Sequence, residues 1–279
     1  MLHQLSSDDF GRARALFGGD NLHLAVVSAL AGESPAELYV DDPRDPHAGL
    51  LLLWNERHFL AGDPHDGPFA RAVAALLCDR YTPLAHDGES FGRFIVYDPP
   101  GWEAYLPALF ADIESFRAER EYYRLRVTAP VVPPPLPPDF RMRQVDAALA
   151  ADASLGNHEL LLDETQSEAP SVAAFLEHRF GYCIQHGADL VAWCLSEYNH
   201  GHRCELGIET LPPYQRQGLA HTVARATIAR AQCAGITEVG WDCWKRNLPS
   251  SALAQKLGFE QVEAYPVWYC RFGQPPAQG

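Results

Sequence analysis

Six prolines crowd into one stretch of this chain, VTAPVVPPPLPPDF at residues 127–140. Proline fixes φ and carries no backbone donor, so neither a helix nor a central strand survives that density. The expected state is a polyproline-like connector. It divides the 279 residues into two parts of ordinary domain size. We read residues 1–126 as an N-terminal α/β domain, 127–138 as a linker and 139–279 as a second α/β domain.

The first part opens with a helix capped near Ser7 and a second apolar helical stretch, NLHLAVVSALAG. AELYVDD, AGLLLLWN and RHFLAG follow as three short strands bounded by Asp-Pro and Asn-Glu turns. GPFARAVAALLCDRY returns to helical periodicity, GRFIVYDPP reads as a strand, and GWEAYLPALFADIESFRAEREYYRL is helical in its later part. No phosphate loop or catalytic signature stands out there. In the second part DAALAADASL and SVAAFLEHRF are helical, and GYCIQHG with ADLVAWCLSEYN forms a hairpin around His186-Gly187. RCELGIET is a strand, LAHTVARATIARAQCAG a helix, ITEVGWDCW a strand and PSSALAQKLG a helix. FEQVEAYPVWYCRF supplies two last strands broken at Pro266.

With 22 basic and 36 acidic side chains the net charge is -14, which repels phosphodiester backbones and argues against nucleic-acid partners. Apolar runs such as GLLLLW are too short for a bilayer, and the start shows no basic segment with an apolar core, so a cytoplasmic protein without membrane contact is expected. The seven cysteines form no CxxC pair and match no zinc spacing; they read as reduced, buried thiols, Cys243 among them, with no metal expected. DDPRDP and AGDPHDG are explained as Asp-Pro turns without a cation.

The stretch ETLPPYQRQGLAHTVA, residues 209–224, ends a β-rich run on two prolines and restarts as a helix. Pro212 and Pro213 cannot continue a ladder, and Leu211 before them is held extended. The helix begins near Gly218, places Ala220, Ala224, Ile228 and Ala231 on one face, and closes at Gly235. The first turn of such a helix has N–H groups without internal partners. Converging from Gln215 to Ala220, they make a pocket for a pyrophosphate, aided by the helix dipole. Gly218 permits close approach and Arg216 offers a cation. The plain alternative is an ordinary helix start.

QRQGLA resembles the acyl-CoA-binding pattern [QR]-x-x-G-x-[GA] of the GNAT superfamily of N-acetyltransferases, through Gln215, Gly218 and Ala220. NLPSSALAQKLGFE resembles the family's second signature at Asn247, Leu257, Gly258 and Phe259. The resemblance spans about residues 139–273, and CELGIET, YQRQGLA, WDCWKRN and AQKLGF are similar to the bacterial branch that includes zwittermicin-resistance acetyltransferases. It implies acetyl-CoA held by Ile208, Thr210, Gln215, Arg216, Gln217, Gly218, Leu219, Ala220, Asn247 and Ser250. It also implies direct attack of an amine on the thioester, with N–H groups near Ile208 and Glu209 steadying the oxyanion.

The amine must lose a proton, so a carboxylate is needed. Glu205, near the position where several GNAT proteins keep their base, ranks first and Glu209 second; Gly207 between them leaves room for a ligand. Both also read as solvated strand residues. The usual tyrosine that protonates the thiolate is replaced by Ala254; Ser250 and Ser251 read as caps, and Tyr265 or Tyr269 could approach instead.

The expected fold is therefore α/β: a C-terminal GNAT domain with a mixed, mostly antiparallel, seven-stranded sheet flanked by helices. The N-terminal part would be a degenerate copy without the cofactor loop, walling the acceptor site or forming a homodimer surface. The expected function is acetyl-CoA-dependent N-acetylation of a small-molecule amine. The rivals are a non-catalytic acyl-CoA sensor or interaction protein, and acetylation of a protein lysine or N-terminus.

Overall fold

The computed structural model describes residues 2–18, 23–54, 57–64, 67–84, 91–97, 101–111, 113–167 and 169–272. In chain order the elements are β1 (His3–Gln4), a 3-10 segment (Ser7–Phe17), α1 (Leu24–Leu30), β2 (Ala36–Val40), β3 (Ala48–Leu53) and β4 (Arg57–Gly62). Then come α2 (Pro68–Tyr81), β5 (Phe91–Tyr97), α3 (Leu106–Leu109) and β6 (Glu114–Arg126). Next are β7 (Phe140–Gln144), α4 (Ala147–Ala150), α5 (His158–Gln166), α6 (Val172–His178), β8 (Gly181–His186) and β9 (Asp189–His200). Last among the described residues come β10 (Arg203–Thr210), α7 (Leu219–Cys233), β11 (Glu238–Trp244), α8 (Leu248–Lys256) and β12 (Glu260–Phe272).

These elements form two compact units, residues 1–119 with 265–279, and residues 120–264. The division falls within β6 and β12 rather than at the proline run. In the first unit β1–β2, β2–β3 and β3–β4 are antiparallel, β4–β5 is parallel, and β5 pairs antiparallel with the end of β12. In the second, β7–β8, β8–β9 and β9–β10 are antiparallel, β10–β11 is parallel, and β11 pairs antiparallel with β6. The two orders are the same. Each unit's last ladder position is filled by the strand that follows the other unit's parallel pair in the chain.

Burial explains why these segments fold so. β3, AGLLLL, is buried along its whole length, as a strand covered on both faces must be. In the second unit α7 turns Leu219, Val223, Ala224, Ile228 and Ala231 onto the sheet, where they share a core with Cys194, Leu206 and Val239.

Two readings are corrected by the structure. The segment expected to be helical near 114–126 is strand β6, because seven register pairs with β11 and burial of Arg120, Tyr122 and Tyr123 outweigh the helix propensity of its Glu, Arg and Ala. The break expected at Pro266 is absent: β12 continues through it, and register with β5 begins one residue later at Val267. The proline run carries neither helix nor strand, and it is held against the second unit. Arg225 Nε donates to Val132 O at 2.9 Å and Gln232 Nε2 to Ala129 O at 3.1 Å, strapping it along α7, while Val131 and Leu136 pack on the core. The helix expected near Ser7 is of the 3-10 kind, and β7 and α5 were not legible in advance.

The first unit's core holds one titratable group with a measurable consequence. His58 on β4 is fully buried; its Nδ1–H donates to Arg57 O at 2.8 Å, leaving Nε2 to accept from the Tyr81 hydroxyl at 2.7 Å. Burial, above all, holds its pKa down to about 3. Between that value and the ordinary value of about 6.5 the unfolded chain binds a proton that the folded chain does not. Stability is therefore fully present above about pH 6.5 and falls as pH drops, with a slope approaching about 1.4 kcal/mol per pH unit. Denaturant midpoints measured from pH 7 to pH 5 should show this slope, and His58→Gln should flatten it.

Candidate functional site

The turn after β10 is built from its side chains upward. Pro212–Tyr214 make a single 3-10 turn, held by Tyr214, whose ring meets His186 edge-on at 5.5 Å. Gln215 Nε2 donates to Thr210 O at 2.9 Å and Gln217 Nε2 to Pro213 O at 3.2 Å, folding the loop back on itself. Arg216 (φ 62°) and Gly218 (φ 81°) are both left-handed. Such residues, set between others, build the backbone concavities that take anions. For Arg216 the conformation costs about 1 kcal/mol or more, strain of the kind held at binding loops.

Gly218 is the N-cap of the 15-residue α7 and no side chain caps that end. From the cap, Thr222 N–H donates to Gly218 O, so the N–H groups of Leu219, Ala220 and His221 lie in the uncapped first turn. A β-carbon on Gly218 would meet nothing within 4 Å, so the space over it is open. Leu219 is buried and anchors the turn, while Gln215, Arg216, Gln217 and Gly218 are exposed and Ala220 is half-buried. His221 is held below its ordinary pKa, first by burial and then by the nearby Lys256 and Arg225. Positive charge thus gathers here on a chain whose net charge is -14.

Immediately before the loop, β10 and β11 part. Their parallel register holds Arg203, Cys204 and Glu205 against Glu238, Val239 and Gly240 and ends there. Past that point β10 stays paired with β9 as far as Thr210, and β11 with β6 as far as Trp244. The edge of β10 from Leu206 to Thr210 thus faces a gap in the ladder. Ile208 and Thr210 are half-buried there, and the Thr210 Oγ1 is buried with no hydrogen-bond partner among the described residues. An orphan hydroxyl, an uncapped helix start and an open glycine in one strand–turn–helix fit a phosphate-bearing, amide-bearing ligand such as acetyl-CoA.

Two interior glycines decide where the carboxylates lie. Glu205, only 1 % exposed, leans over Gly240: a β-carbon there would collide with the Tyr122 hydroxyl and approach Glu205 Cγ to 2.8 Å. Burial, then the neighbouring Glu205, raises the Tyr122 pKa and keeps it a neutral hydroxyl. The space over Gly207, expected to be room for a ligand, is taken instead by the Glu197 carboxylate, whose Oε1 a β-carbon would strike. Glu197 stands directly across from Glu205 in register but is part-exposed. Glu209 is exposed and accepts from Thr210 N–H at 3.1 Å. Local sequence pattern does not single out Glu197 or Tyr122; the interior glycines that face them are the signal that points to them.

The second signature serves α8. Asn247 is its N-cap, with Oδ1 accepting from Ser250 N–H at 3.3 Å, and Ser250 Oγ accepts from Trp241 Nε1 at 3.0 Å. Both therefore have structural work beside the gap. Ala254 is fully buried in the core that includes Tyr123 and Trp241. Tyr123 and Ser251 both donate to Glu121 Oε2, at 2.7 and 3.0 Å. Tyr265 and Tyr269 belong to the first unit, against His23 and Phe116. Burial raises the Cys243 thiol's pKa, which suits a core residue better than a nucleophile.

The first unit has the same strand–helix junction without the cradle. Gly67 is the left-handed N-cap of α2, but Pro68 at the next position has no N–H. A β-carbon on Gly67 would meet Arg71 Nη1 at 3.3 Å and the Tyr105 ring at 3.7 Å, so that space is filled. In the second unit a cavity of about 340 Å³ lies among Arg179, Phe180, His200 and Arg230. It adjoins the start of β10, whereas the cradle follows its end, and the C-termini of α6 and α7, with their negative dipole ends, border it. It is a poor seat for a pyrophosphate. Among the described residues no group of three or more His, Cys, Asp or Glu is arranged to hold a metal, and no helix is long and apolar enough to cross a membrane.

Two copies of one mixed sheet, with a splayed parallel pair and an open helix start in the second, define a tandem acyl-CoA-type transferase fold. The chain belongs to the GNAT acetyltransferase family, whose model matches residues 14–268, and it is an N-acetyltransferase of that family, which uses acetyl-CoA. It is 27% identical over 270 residues to "Uncharacterized N-acetyltransferase YdfB" of Bacillus subtilis strain 168, covering 96% of this chain and 98% of that one. The crystal structure of a GCN5-related N-acetyltransferase-like protein from Streptococcus suis 89/1591 superposes with a TM-score of 0.69 at 23% identity, over 95% of this chain and 99% of that chain. A tandem GNAT protein from the clavulanic acid biosynthesis pathway superposes with a TM-score of 0.58 at 12% identity, over 97% and 98%. These structural likenesses speak for the fold, and the second agrees with the paired sheet order of the two units.

Proposed function

We propose that the second unit transfers the acetyl group of acetyl-CoA to the primary amine of a small molecule by direct attack on the thioester. The observation that carries this reading is the continuity of gap and cradle: the ladder between β10 and β11 ends at Glu205 and Gly240, and the same strand runs on into the open start of α7. A pyrophosphate at Gln215–Ala220 would lay the pantetheine along the β10 edge. The amine nitrogen bonds to the carbonyl carbon, and β10 backbone N–H groups near Ile208 and Glu209 steady the oxyanion. One proton of the ammonium formed by that attack passes to a carboxylate, the C–S bond breaks, and the thiolate takes a proton from solvent or a nearby hydroxyl. Ala254 removes the usual donor, and Ser251 lies on the same helix. Glu197, Glu205 and Glu209 share the sheet face beside the gap, which favours an acceptor that arrives as an ammonium ion and attacks once it has lost one proton to solvent.

The test is thiol release from acetyl-CoA by the full chain with a panel of primary amines (cadaverine, glucosamine and lysine amide), with products read by mass spectrometry. Amine-dependent release with acetylated product is expected. Binding of acetyl-CoA with release only toward protein lysines or N-termini would move the acceptor to proteins. Binding with no release to any acceptor would leave the sensor reading.

A further inference from the structure

We propose that Glu197, on β9, is the carboxylate that takes the proton from the attacking amine, and that Glu205 is a positioning residue. This rests on the amine-acetylation reading above. The two face each other in register, yet they lean apart into the spaces left by different glycines. Glu205 turns away from β9 to lie over Gly240 beside the Tyr122 hydroxyl, where it is 1 % exposed. A group so enclosed can hold a neighbour in place but offers little surface to an incoming amine. Glu197 leans the other way. Its carboxylate lies over Gly207, two residues beyond the last β10–β11 register pair, on the stretch of β10 that faces the gap, and it remains part-exposed.

Gly207 is what permits this. Any side chain there would occupy the position of the Glu197 carboxylate, and the proton acceptor would be pushed from the thioester's track. The third carboxylate of the face, Glu209, lies two residues further along β10 and is exposed. The neutral amine bonds to the carbonyl carbon, one proton of the ammonium so formed moves to a Glu197 oxygen and on to solvent, and the C–S bond breaks to a thiolate that takes a proton from solvent.

The test compares steady-state thiol release by wild type, Glu197→Gln, Glu197→Asp, Glu205→Gln and Gly207→Ala, with acetyl-CoA and the same amines. Each variant is first checked for acetyl-CoA binding by calorimetry. Glu197→Gln should bind acetyl-CoA normally, lose about 100-fold or more in kcat, as removal of a general base does, and lose the acidic limb of the pH profile. Glu197→Asp should recover part of the rate. Gly207→Ala, which leaves the carboxylate in place chemically but displaces it, should lower kcat with binding kept. If Glu197→Gln keeps kcat within a few-fold and keeps the acidic limb, the assignment is overturned while the amine reading stands. Silence of the wild type toward every amine overturns the amine reading and this assignment with it.

Discussion

Gly218→Asp should abolish measurable acetyl-CoA binding while leaving the fold intact. Asp is among the few residues that tolerate the left-handed conformation found at this position, φ 81°, and nothing lies within 4 Å of the added β-carbon, so the folded state can accept it. What changes is charge. A carboxylate about 5 Å from one pyrophosphate charge, at a surface-like effective dielectric of about 20, costs about 3 kcal/mol. That alone weakens binding by more than about 100-fold. Gly218→Asn has a similar shape and the same conformational tolerance without the charge, and should lose about 10-fold or less. Calorimetric titration of wild type and both variants, beside their thermal melts, reads the result. Equal affinity in all three would mean that α7 begins on glycine for turn geometry alone, and the donor would have to bind elsewhere. Loss in both variants with unchanged melts would mean that the backbone approach at Gly218 admits no side chain of any charge.

That junction was the most legible part of the sequence because three local signals coincide in it. Pro212 and Pro213 stop the ladder, Gly218 takes the left-handed turn, and the apolar spacing of α7 begins one residue later. Each acts over a few residues and needs no knowledge of the tertiary fold. The site's other side is set by cross-strand register, which local pattern does not carry. Glu197 matters because it leans over a glycine on the neighbouring strand, and Gly207 alone reads as empty space. Tyr122 was hidden more deeply. Its segment, ESFRAEREYYRLR, is rich in helix formers, and only pairing with β11, more than a hundred residues on, makes it a strand. The exchange of β6 and the end of β12 between the units is non-local in the same way. It is also why the division falls inside strands while the conspicuous prolines lie along α7.

Breaking the ion pair between β6 and β11 should be the most damaging single substitution on the polar face of the second unit. Arg120 Nε donates to Asp242 Oδ1 at 2.7 Å, with the two side chains 7% and 2% exposed, and the guanidinium lies 4.6 Å from the Trp244 ring centre. Removing one partner of such a pair strands the other charge in a site closed to water, a loss of about 3–5 kcal/mol. A domain's whole stability is about 5–15 kcal/mol, so Asp242→Ala should lower the denaturant midpoint severely. Arg120→Met with Asp242→Leu replaces both charges by apolar groups of similar bulk and should recover most of the loss, because the desolvation cost disappears with the attraction. The double-mutant cycle separates coupling from packing. A loss below about 1 kcal/mol for Asp242→Ala would have a functional meaning, since exposed pairs are worth that little. Water would then reach the face shared by Asp242, Tyr122 and Glu205. Glu205 would no longer be too enclosed to meet an amine, and the division of labour between it and Glu197 would have to be drawn again.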